Sequence, residues 1–595
     1  MPRFRLPLPA VIGSGRRPSA ARVGRALSPR GALALQSVDG ALSFALRAAL
    51  AMALPALPMA LAGRADQAVY AMLGSFTTTF GRNLSYARRA RVLALVAVAM
   101  TACVGCGSAL AAWAHPRDGG TGAAVVVAAM AVVAGAAKLA CDAARLSGLG
   151  AVLLLFSFAV AANGSPDTAD ILPQTALAAL GAAVAWVLAV SGWFVHPDRP
   201  QRLAVAAALR ELAELLEAAG AGHGRGLVRH RATAAVLQAY RTLGLMPPTA
   251  AEWGGRGGTC VRLTDLSWSL LIGSARRPPD DPTGLAQHLR GQVRVLVSRR
   301  HRVPQLLPEL SSPSVIAQAG RVSVTGPEPL PADPTTRRAA ELRAAELVST
   351  QRHGHPGHAS VLLIPALRMV LGTGLAGGTA LLLGLGHGYW AAISAAAVLH
   401  SINVRTAAQR AVQRTLGTVA GLMLALGVLA ARPDPVVLVL VIVVLEFMLE
   451  YVVARNYGLG VVFLTPLALL LSDLASPSPA GALVQDRALS SVLGIVIGLG
   501  CALLVVHDHA AVRAERALAA CREASERAEH TLDDRLEPSF PIVQTHLAAA
   551  VVELREADDA AAGELWPAEI DPTEFAAAEQ RAYLLLERLV RWRWR

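Results

Sequence analysis

Twelve apolar segments, in two sets of six separated by a long polar stretch, constrain the fold of this chain more than any other feature. The first set lies at about residues 41–62, 66–81, 91–113, 121–140, 147–163 and 174–195. The second set lies at about residues 360–384, 388–402, 411–431, 435–454, 457–473 and 485–506. A helix of about 20 apolar residues crosses the hydrocarbon core of a bilayer, and shorter segments are common inside tight bundles. The pattern predicts an all-α, polytopic transmembrane helix bundle.

The composition agrees with a membrane location. Hydrophobic residues make up 54% of the 595 residues and charged residues 16%, too few charges to cover so much apolar surface in water. The net charge of +13 comes almost wholly from arginine, since Lys138 is the only lysine. The arginines stand between apolar segments rather than in one aromatic-rich stripe, so we expect no nucleic-acid partner. We expect a bacterial chain of the cytoplasmic (plasma) membrane, with membrane lipids as its partners.

Arginines cluster in alternate connections between the apolar segments. The N-terminal tail, the linkers at 82–91 and 138–145 and the chain after residue 199 are basic, whereas the connections between them carry few cations. In the second half Arg405, Arg410, Arg414 and Arg455 fall on one side in the same way. Because cationic loops are retained on the cytoplasmic side, both termini and the middle polar stretch are predicted to be cytoplasmic.

The chain thus divides into five parts. These are a cytosolic tail (1–40), a first transmembrane bundle (41–195), a cytosolic helical domain (196–358), a second transmembrane bundle (359–506) and a cytosolic helical C-terminal domain (507–595). Helical spacing of leucines and capping residues predict extramembrane helices at 202–219, 285–303, 333–349, 510–535 and 574–595. The Pro- and Gly-rich residues between the first two of these helices, and on to Pro334, predict loops.

The two bundles are related in sequence. The segment Ala144–Gly150 is similar to Ala454–Gly460, and Arg47 and Arg368 each lie about two turns into the first helix of their set. Each set enters from the same side, so the pattern predicts two parallel repeats of about six helices around an axis along the membrane normal. The spacings Gly417-x-x-x-Gly421 and Gly494-x-x-x-Gly498 predict close helix packing within the second repeat.

The most informative motifs lie in the second bundle. They are His387-Gly-Tyr389-Trp390, Asn403-Val-Arg405, Gln409-Arg410-x-x-x-Arg414-x-x-Gly417 and Asn456-Tyr457, followed by Thr465-Pro466 in a late helix. These motifs resemble the fusaric acid resistance family, also called aromatic acid exporters, closely over about 360–506 and weakly over 41–195. The resemblance implies export of aromatic acids. That family is also similar to plant anion channels of the malate type, so channel activity stays open.

Two groups of these motif residues can be interpreted without the family resemblance. Tyr389 and Trp390 stand near the predicted extracytoplasmic end, where such rings anchor helices at headgroup level; contact with a ligand, together with Tyr457, is the alternative. Arg405, Arg410 and Arg414 stand at cytoplasmic helix ends, where the positive-inside bias accounts for them. Arg410 and Arg414 share one helix face, so a vestibule that attracts anions is the alternative interpretation.

Several ionisable residues fall inside apolar segments. Glu446 interrupts the tenth segment, and Glu450 follows one turn later on the same face. Charged residues at such depth are costly and mark transport pathways, so we expect Glu446, Glu450, Arg368 and Arg47 on the pathway or in ion coupling. Arg368 is predicted to hold a carboxylate, either that of the substrate or that of Glu450. Snorkelling arginines and a structural ion pair are the alternatives.

No catalytic motif accompanies these residues. The sequence has no Walker motif, no Gly-x-Ser-x-Gly and no His-Glu-x-x-His, so we expect no enzyme, no cofactor and no metal. The sequence favours a secondary-active efflux transporter for small organic anions, aromatic or amphipathic, driven by an ion gradient. We expect a small-molecule anionic substrate and a homo-oligomer. A passive organic-anion channel and a non-transporting scaffold with partner-binding cytosolic helices are the alternatives.

Overall fold

The computed structural model describes residues 40–82, 84–116, 120–144, 146, 150–164, 167–221, 225–244, 258–274, 279–298, 305–311, 358–401, 404–475, 479–504, 508–534, 540–562 and 571–592. Over these residues the chain forms helices and no β-strand, which confirms the predicted all-α polytopic bundle. Most of the predicted N-terminal tail and the helix predicted at 333–349 lie outside the described residues.

Each of the twelve apolar segments forms a helix, as predicted. The first bundle comprises α1 (Ala41–Leu61), α2 (Ala65–Ser75), α3 (Tyr86–Ala114), α4 (Gly120–Ala143), α5 (Gly150–Ala162) and α6 (Ile171–Val195). The segments between the bundles form α7 (Arg199–Ala221), α8 (Arg225–Leu243), α9 (Gly258–Gly273) and α10 (Pro282–Val297). The second bundle comprises α11 (His358–Leu382), α12 (Tyr389–Leu399), α13 (Val404–Ala430), α14 (Pro435–Val452), α15 (Tyr457–Ala475) and α16 (Ala480–Leu504). The tail forms α17 (Asp508–Asp533), α18 (Phe540–Ala562) and α19 (Pro572–Trp592).

Helix length divides the helices of the two bundles into a long group and a short, central group. Within the described residues, nine helices are long and apolar enough to cross a membrane: α1, α3, α4, α6, α11, α13, α14, α15 and α16. The helices α2, α5 and α12 have 11, 13 and 11 residues, or about 16–20 Å at 1.5 Å per residue. Every residue of α5 and α12 is buried, so these short helices lie at the centre of the protein.

The helices of the first bundle pack in the same pairs as those of the second. α3 packs against α5 and α6, and α13 packs against α15 and α16. Contacts between the bundles are also reciprocal, because α4 packs against α11 and α14 packs against α1. At the centre, α2 contacts α15 and α5 contacts α12. This correspondence is what a parallel duplication requires, and the duplication itself stays a prediction.

The glycine spacing in α13 allows a close helix contact, as predicted. A Cβ atom on Gly417 would lie 2.7 Å from the carbonyl oxygen of Gly458, and one on Gly421 would lie 2.7 Å from Cβ of Thr465. Gly494 and Gly498 of α16 likewise lie against the backbone of α12. Small residues are common at such interfaces because they let helix backbones approach closely in lipid. The close-packing prediction is therefore confirmed.

Helices α7–α10 and α17–α19 pack together into one unit, the extramembrane domain. One hydrophobic core joins the two segments, with Leu212 of α7, Trp268 of α9 and Leu586 of α19 all fully or almost fully buried. The prediction of loops between the helices that begin near residues 202 and 285 is wrong, because α8 and α9 form there. The glycine-rich sequence lies mostly between these helices, while their apolar residues are buried in the shared core.

Candidate functional site

The centre of the second bundle is built around the first turn of α12. Trp390 is fully buried and its ring stacks on Phe156 of α5, with 5.9 Å between the centroids. The neighbouring Tyr389 donates a hydrogen bond to Ser472 of α15 over 3.3 Å. The prediction that these rings anchor the protein at headgroup level is wrong. The short helix α12 is covered on all sides, so its aromatic residues face protein instead of lipid.

Arg414 of α13 reaches this aromatic group from the side. Its guanidinium donates to the Ser394 hydroxyl at 3.2 Å and to the Tyr457 hydroxyl at 3.4 Å, and the residue is 1% exposed. Arg410, one turn earlier, is half-buried and lies over the Tyr457 ring at 5.3 Å. Arg405 is exposed and does not join the group. Arg414 therefore lies in the protein interior, deeper than the predicted position at a helix end.

Arg487 of α16 completes the group, and the sequence analysis missed it. Its guanidinium lies over the Trp390 ring, 3.8 Å from the centroid, and the residue is 2% exposed. Its Nε and Nη1 atoms have no hydrogen-bond partner among the described residues. The adjacent carboxylate of Asp486 pairs with His387 at 2.9 Å. An available signal was that Arg487 stands at the arginine-poor end of its segment, against the positive-inside bias.

Trp390, Ser394, Arg414, Tyr457 and Arg487 together form what we call the arginine site. The two guanidinium groups act on each other electrostatically, and Tyr389 and Tyr457 are the other groups that act on Arg487. Burying a cation without a counter-charge costs roughly several kcal/mol, even after the surrounding protein relaxes. The described residues supply no carboxylate to this pair. Guanidinium groups without a counter-charge can bind an anion, and the site also includes the rings of Trp390 and Tyr457.

Buried hydroxyl groups that have no hydrogen-bond partner among the described residues lie beyond the arginine site along two helices. Ser490 and Ser491 follow Arg487 by three and four residues on α16, and Thr418 follows Arg414 by four residues on α13. Each of these side chains is buried, and its hydroxyl oxygen has no hydrogen-bond partner within the described part of the chain. Buried hydroxyl groups normally find partners, so this row of groups offers hydrogen bonds to water or to a polar solute.

The predicted acidic residues lie in a second group, at the seam between the bundles. Glu450 of α14 accepts a hydrogen bond at 3.0 Å from Arg82, which follows α2 in the first bundle. Glu446 is buried one turn before it. The predicted alternative in which Arg368 holds Glu450 is wrong. Arg368 instead donates to the carbonyl oxygens of Leu399 and Ser401, at the end of the short helix α12.

Arg47 lies on the first-bundle side of the same seam. It donates to the carbonyl oxygens of Ser43 and Ala189 and lines a small cleft together with Arg89. The carbonyl groups that follow α2 are held by Arg89, which donates to Gly81 and Arg82. Both bundles therefore use an arginine to satisfy the end of a short central helix. Among the described residues, no three metal-ligating side chains come together.

Comparison with known proteins finds similarity in the second bundle. Residues 375–501 match the model of the family described as fusaric acid resistance protein-like. Over this segment the chain is similar to that family. It is also 26% identical over 572 residues to YvaC, an uncharacterized membrane protein of Bacillus subtilis (strain 168), an alignment that covers 91% of this chain and 84% of the relative. No solved structure matches the chain.

The match confirms the resemblance identified from the motifs of the second bundle. The matched fusaric acid resistance-like segment contains the whole arginine site, from Trp390 to Arg487, and both seam carboxyl groups, Glu446 and Glu450. Arg82 and Arg47 belong to the first bundle and lie outside the matched segment. The chain is thus a multi-pass membrane protein, and its similarity to this family is consistent with a role in transport.

Proposed function

We propose that this protein is a secondary-active transporter that exports small aromatic or amphipathic organic anions across the bacterial cytoplasmic membrane. The observation that carries the proposal is the pair of buried guanidinium groups, Arg487 over the Trp390 ring and Arg414 bonded to Ser394, without a carboxylate partner among the described residues. A solute with a carboxylate and an apolar ring satisfies both parts of this site.

The chemistry of the site favours a planar carboxylate. Guanidinium groups bind carboxylates through charge-assisted hydrogen bonds, and Nε and Nη1 of Arg487 are donors without a partner among the described residues. The rings of Trp390 and Tyr457 adjoin the two guanidinium groups, so an aromatic body bound there contacts aromatic side chains. Fusaric acid, from which the family takes its name, is itself an aromatic carboxylic acid, which supports this substrate class.

The described arrangement is closed around the arginine site. Trp390, Arg414 and Arg487 are at most 2% exposed, so an anion reaches them only if the surrounding helices move apart. A site that closes away from solvent and lies among helices of one bundle is typical of a carrier with alternating access. Export, as opposed to uptake, follows from the resemblance to the exporter family and remains part of the proposal.

Reconstituted protein tests the proposal. Purified protein in liposomes is loaded with labelled benzoate, and exchange with external benzoate is followed at a pH where the acid is ionised. Protein-free liposomes measure diffusion of the neutral acid. We expect protein-dependent exchange that saturates and that the variants Arg414→Gln and Arg487→Gln lose. The variant Arg64→Gln, which changes an exposed arginine after α1, serves as the matched control and should exchange normally.

The outcomes separate the alternatives. Flux that does not saturate, and that is not accelerated by anion on the opposite side, would favour a passive anion channel. No flux of benzoate or of an aromatic sulfonate, with protein that is folded and correctly inserted, would contradict the proposal and leave the scaffold interpretation. Equal flux in the wild type and the Arg487→Gln variant would show that the arginine site does not bind the transported anion.

A further inference from the structure

The ion pair between Arg82 and Glu450 joins the two bundles inside the protein. Arg82 donates to the carboxylate of Glu450 at 3.0 Å and to its backbone carbonyl at 3.1 Å. The opposite face of the guanidinium rests on the Phe44 ring of α1, 3.9 Å from the centroid. Glu450 is 4% exposed, so this contact is largely shielded from water. Any movement between α14 and the first bundle has to stretch or break it.

Glu446 has no such partner. It is 1% exposed, and its Oε2 atom has no hydrogen-bond partner among the described residues. It lies four residues before Glu450, so both carboxyl groups occupy one face of α14. Glu450 is the charged neighbour that acts on it electrostatically. Arg82, the nearest candidate cation, is already engaged by Glu450.

The other ionisable groups on the packed elements act elsewhere. Arg47 of α1 lies over Phe44, 5.5 Å from the centroid, and Arg455 after α14 lies over Tyr451 at 4.0 Å. Arg455 acts on Arg82 and not on Glu446. The remaining ionisable side chains on α2 and α15, none of which acts on Glu446, are Asp66, Tyr70, Tyr457 and Asp473.

Two carboxyl groups and one guanidinium are electrically neutral when a single proton is bound. Burying an additional unpaired carboxylate in a low-dielectric interior costs roughly several kcal/mol, so the neutral arrangement is the stable one in this closed state. We infer that Glu446, Glu450 and Arg82 form a proton-binding site at the seam between the bundles, with the proton held on Glu446. Nothing in the arginine site is needed for this step.

The proton site has a physical connection to the arginine site. α14 packs against α15, and α15 carries Tyr457, whose hydroxyl group contacts Arg414. α15 in turn contains Pro466, which lacks the N–H group for a helical hydrogen bond and weakens the helix at that turn. Loss of the proton leaves two carboxylates for one guanidinium, which favours a state in which the seam opens to water. Coupling of that opening to anion release rests on the proposed function.

Infrared spectroscopy tests proton binding without any transport. A protonated carboxyl group has a carbonyl stretching band separate from that of a carboxylate. We expect the purified wild type at neutral pH to show this band and the isosteric variant Glu446→Gln to lose it. The matched control is Asp142→Asn, which removes a carboxyl group paired with Lys138 at 2.8 Å and should leave the band unchanged. A band unchanged by Glu446→Gln, in protein that elutes as the wild type does, would overturn the inference.

Transport tests the coupling step separately. In liposomes with the membrane potential held at zero, a gradient of one pH unit drives up to about tenfold accumulation, on the acidic side, of an anion that exchanges for one proton, whereas diffusion of neutral benzoic acid accumulates benzoate on the alkaline side. We expect the wild type to accumulate labelled benzoate and Glu446→Gln to exchange it at the normal rate without accumulation. Accumulation by the variant would refute coupling through Glu446. Absence of all benzoate transport in the wild type would instead refute the proposed function, while the infrared result still decides the proton site.

Discussion

Replacing Arg487 by methionine distinguishes a ligand-binding arginine from a structural one, because the two roles predict opposite changes in stability. In the anion-free protein the guanidinium is 2% exposed and is held mainly by the Trp390 ring at 3.8 Å. A desolvated cation–π contact contributes about 2 kcal/mol, whereas burying an ion costs roughly several kcal/mol. Methionine fills a similar volume without the charge. The free energy of unfolding should therefore stay the same or rise.

Anion binding should change in the opposite direction. A hydrogen bond to a charged group contributes about 1.5–3 kcal/mol, and Arg487 has donors without a partner at Nε and Nη1. Loss of one such bond to the anion should weaken binding by about 1.5–3 kcal/mol, or roughly 10- to 10²-fold in Kd. A ligand that binds only the folded protein stabilises it in proportion to the logarithm of its concentration over Kd. The variant should therefore lose the stabilisation that benzoate gives the wild type.

Thermal unfolding of the purified protein in detergent, with and without benzoate, measures both effects. We expect the wild type to melt higher with benzoate, and Arg487→Met to melt at or above the anion-free wild type and not to respond. Arg64→Met removes an exposed arginine and should respond as the wild type does. A variant that melts several degrees lower without anion and is still stabilised by benzoate would refute the reasoning and make Arg487 structural.

Three further predictions concern other parts of the protein. Gly421→Ala should lower the free energy of unfolding by about 1–3 kcal/mol, because its Cβ would lie 2.7 Å from that of Thr465, whereas Gly427→Ala has open space and should be neutral or stabilising in the same thermal assay. Burial raises the pKa of the Cys260 thiol to about 12, so maleimide should label it at neutral pH only after unfolding. Burial also lowers the pKa of His230, so on mild acidification the imidazole takes up a proton in the unfolded chain before it does so in the folded domain. Stability should accordingly fall as pH drops below about 6.5, and His230→Gln should lessen that fall in pH-dependent melting.

The sequence was sufficient to predict the structural elements that depend on local sequence features. Apolar length defines the twelve segments, and arginine placement separates the two ends of the bundles. Even where the bounds differ, the reason is local: α3 and α13 begin at Tyr86 and Val404, earlier than the predicted 91 and 411, because arginines in the first turns lower hydropathy without preventing a helix.

The arginine site depended on tertiary packing, which no local pattern carries. Trp390 has the position of a headgroup anchor in sequence, and only the coverage of α12 by its neighbours places it in the interior. Arg487 stands near the start of its predicted segment, and only the packing of α16 places it over that ring. Arg82 and Glu450 are separated by 368 residues, so their pairing could not be read from either segment alone.

The shared core of the extramembrane domain gives an argument about topology that is independent of the arginine bias. Helices α7–α10 and α17–α19 bury one common core, so both segments must lie on the same side of the membrane. Between them stand α11–α16, of which five are long enough to cross while α12 has 11 residues. Five crossings would place the two segments on opposite sides. We therefore expect α12, though short, to provide a sixth crossing.

Single cysteines in a cysteine-free background test this argument. Asp280 precedes α10, Glu526 lies on α17 and Asp434 lies between α13 and α14; all three are exposed. The arginine bias predicts that the extramembrane domain is cytoplasmic. Asp280→Cys and Glu526→Cys should therefore react with an impermeant maleimide only after permeabilisation, whereas Asp434→Cys should react in intact cells. Reaction of both domain positions in intact cells would invert the orientation and preserve the parity of crossings. Different behaviour of the two domain positions would contradict the shared core, and with it the requirement that α12 crosses.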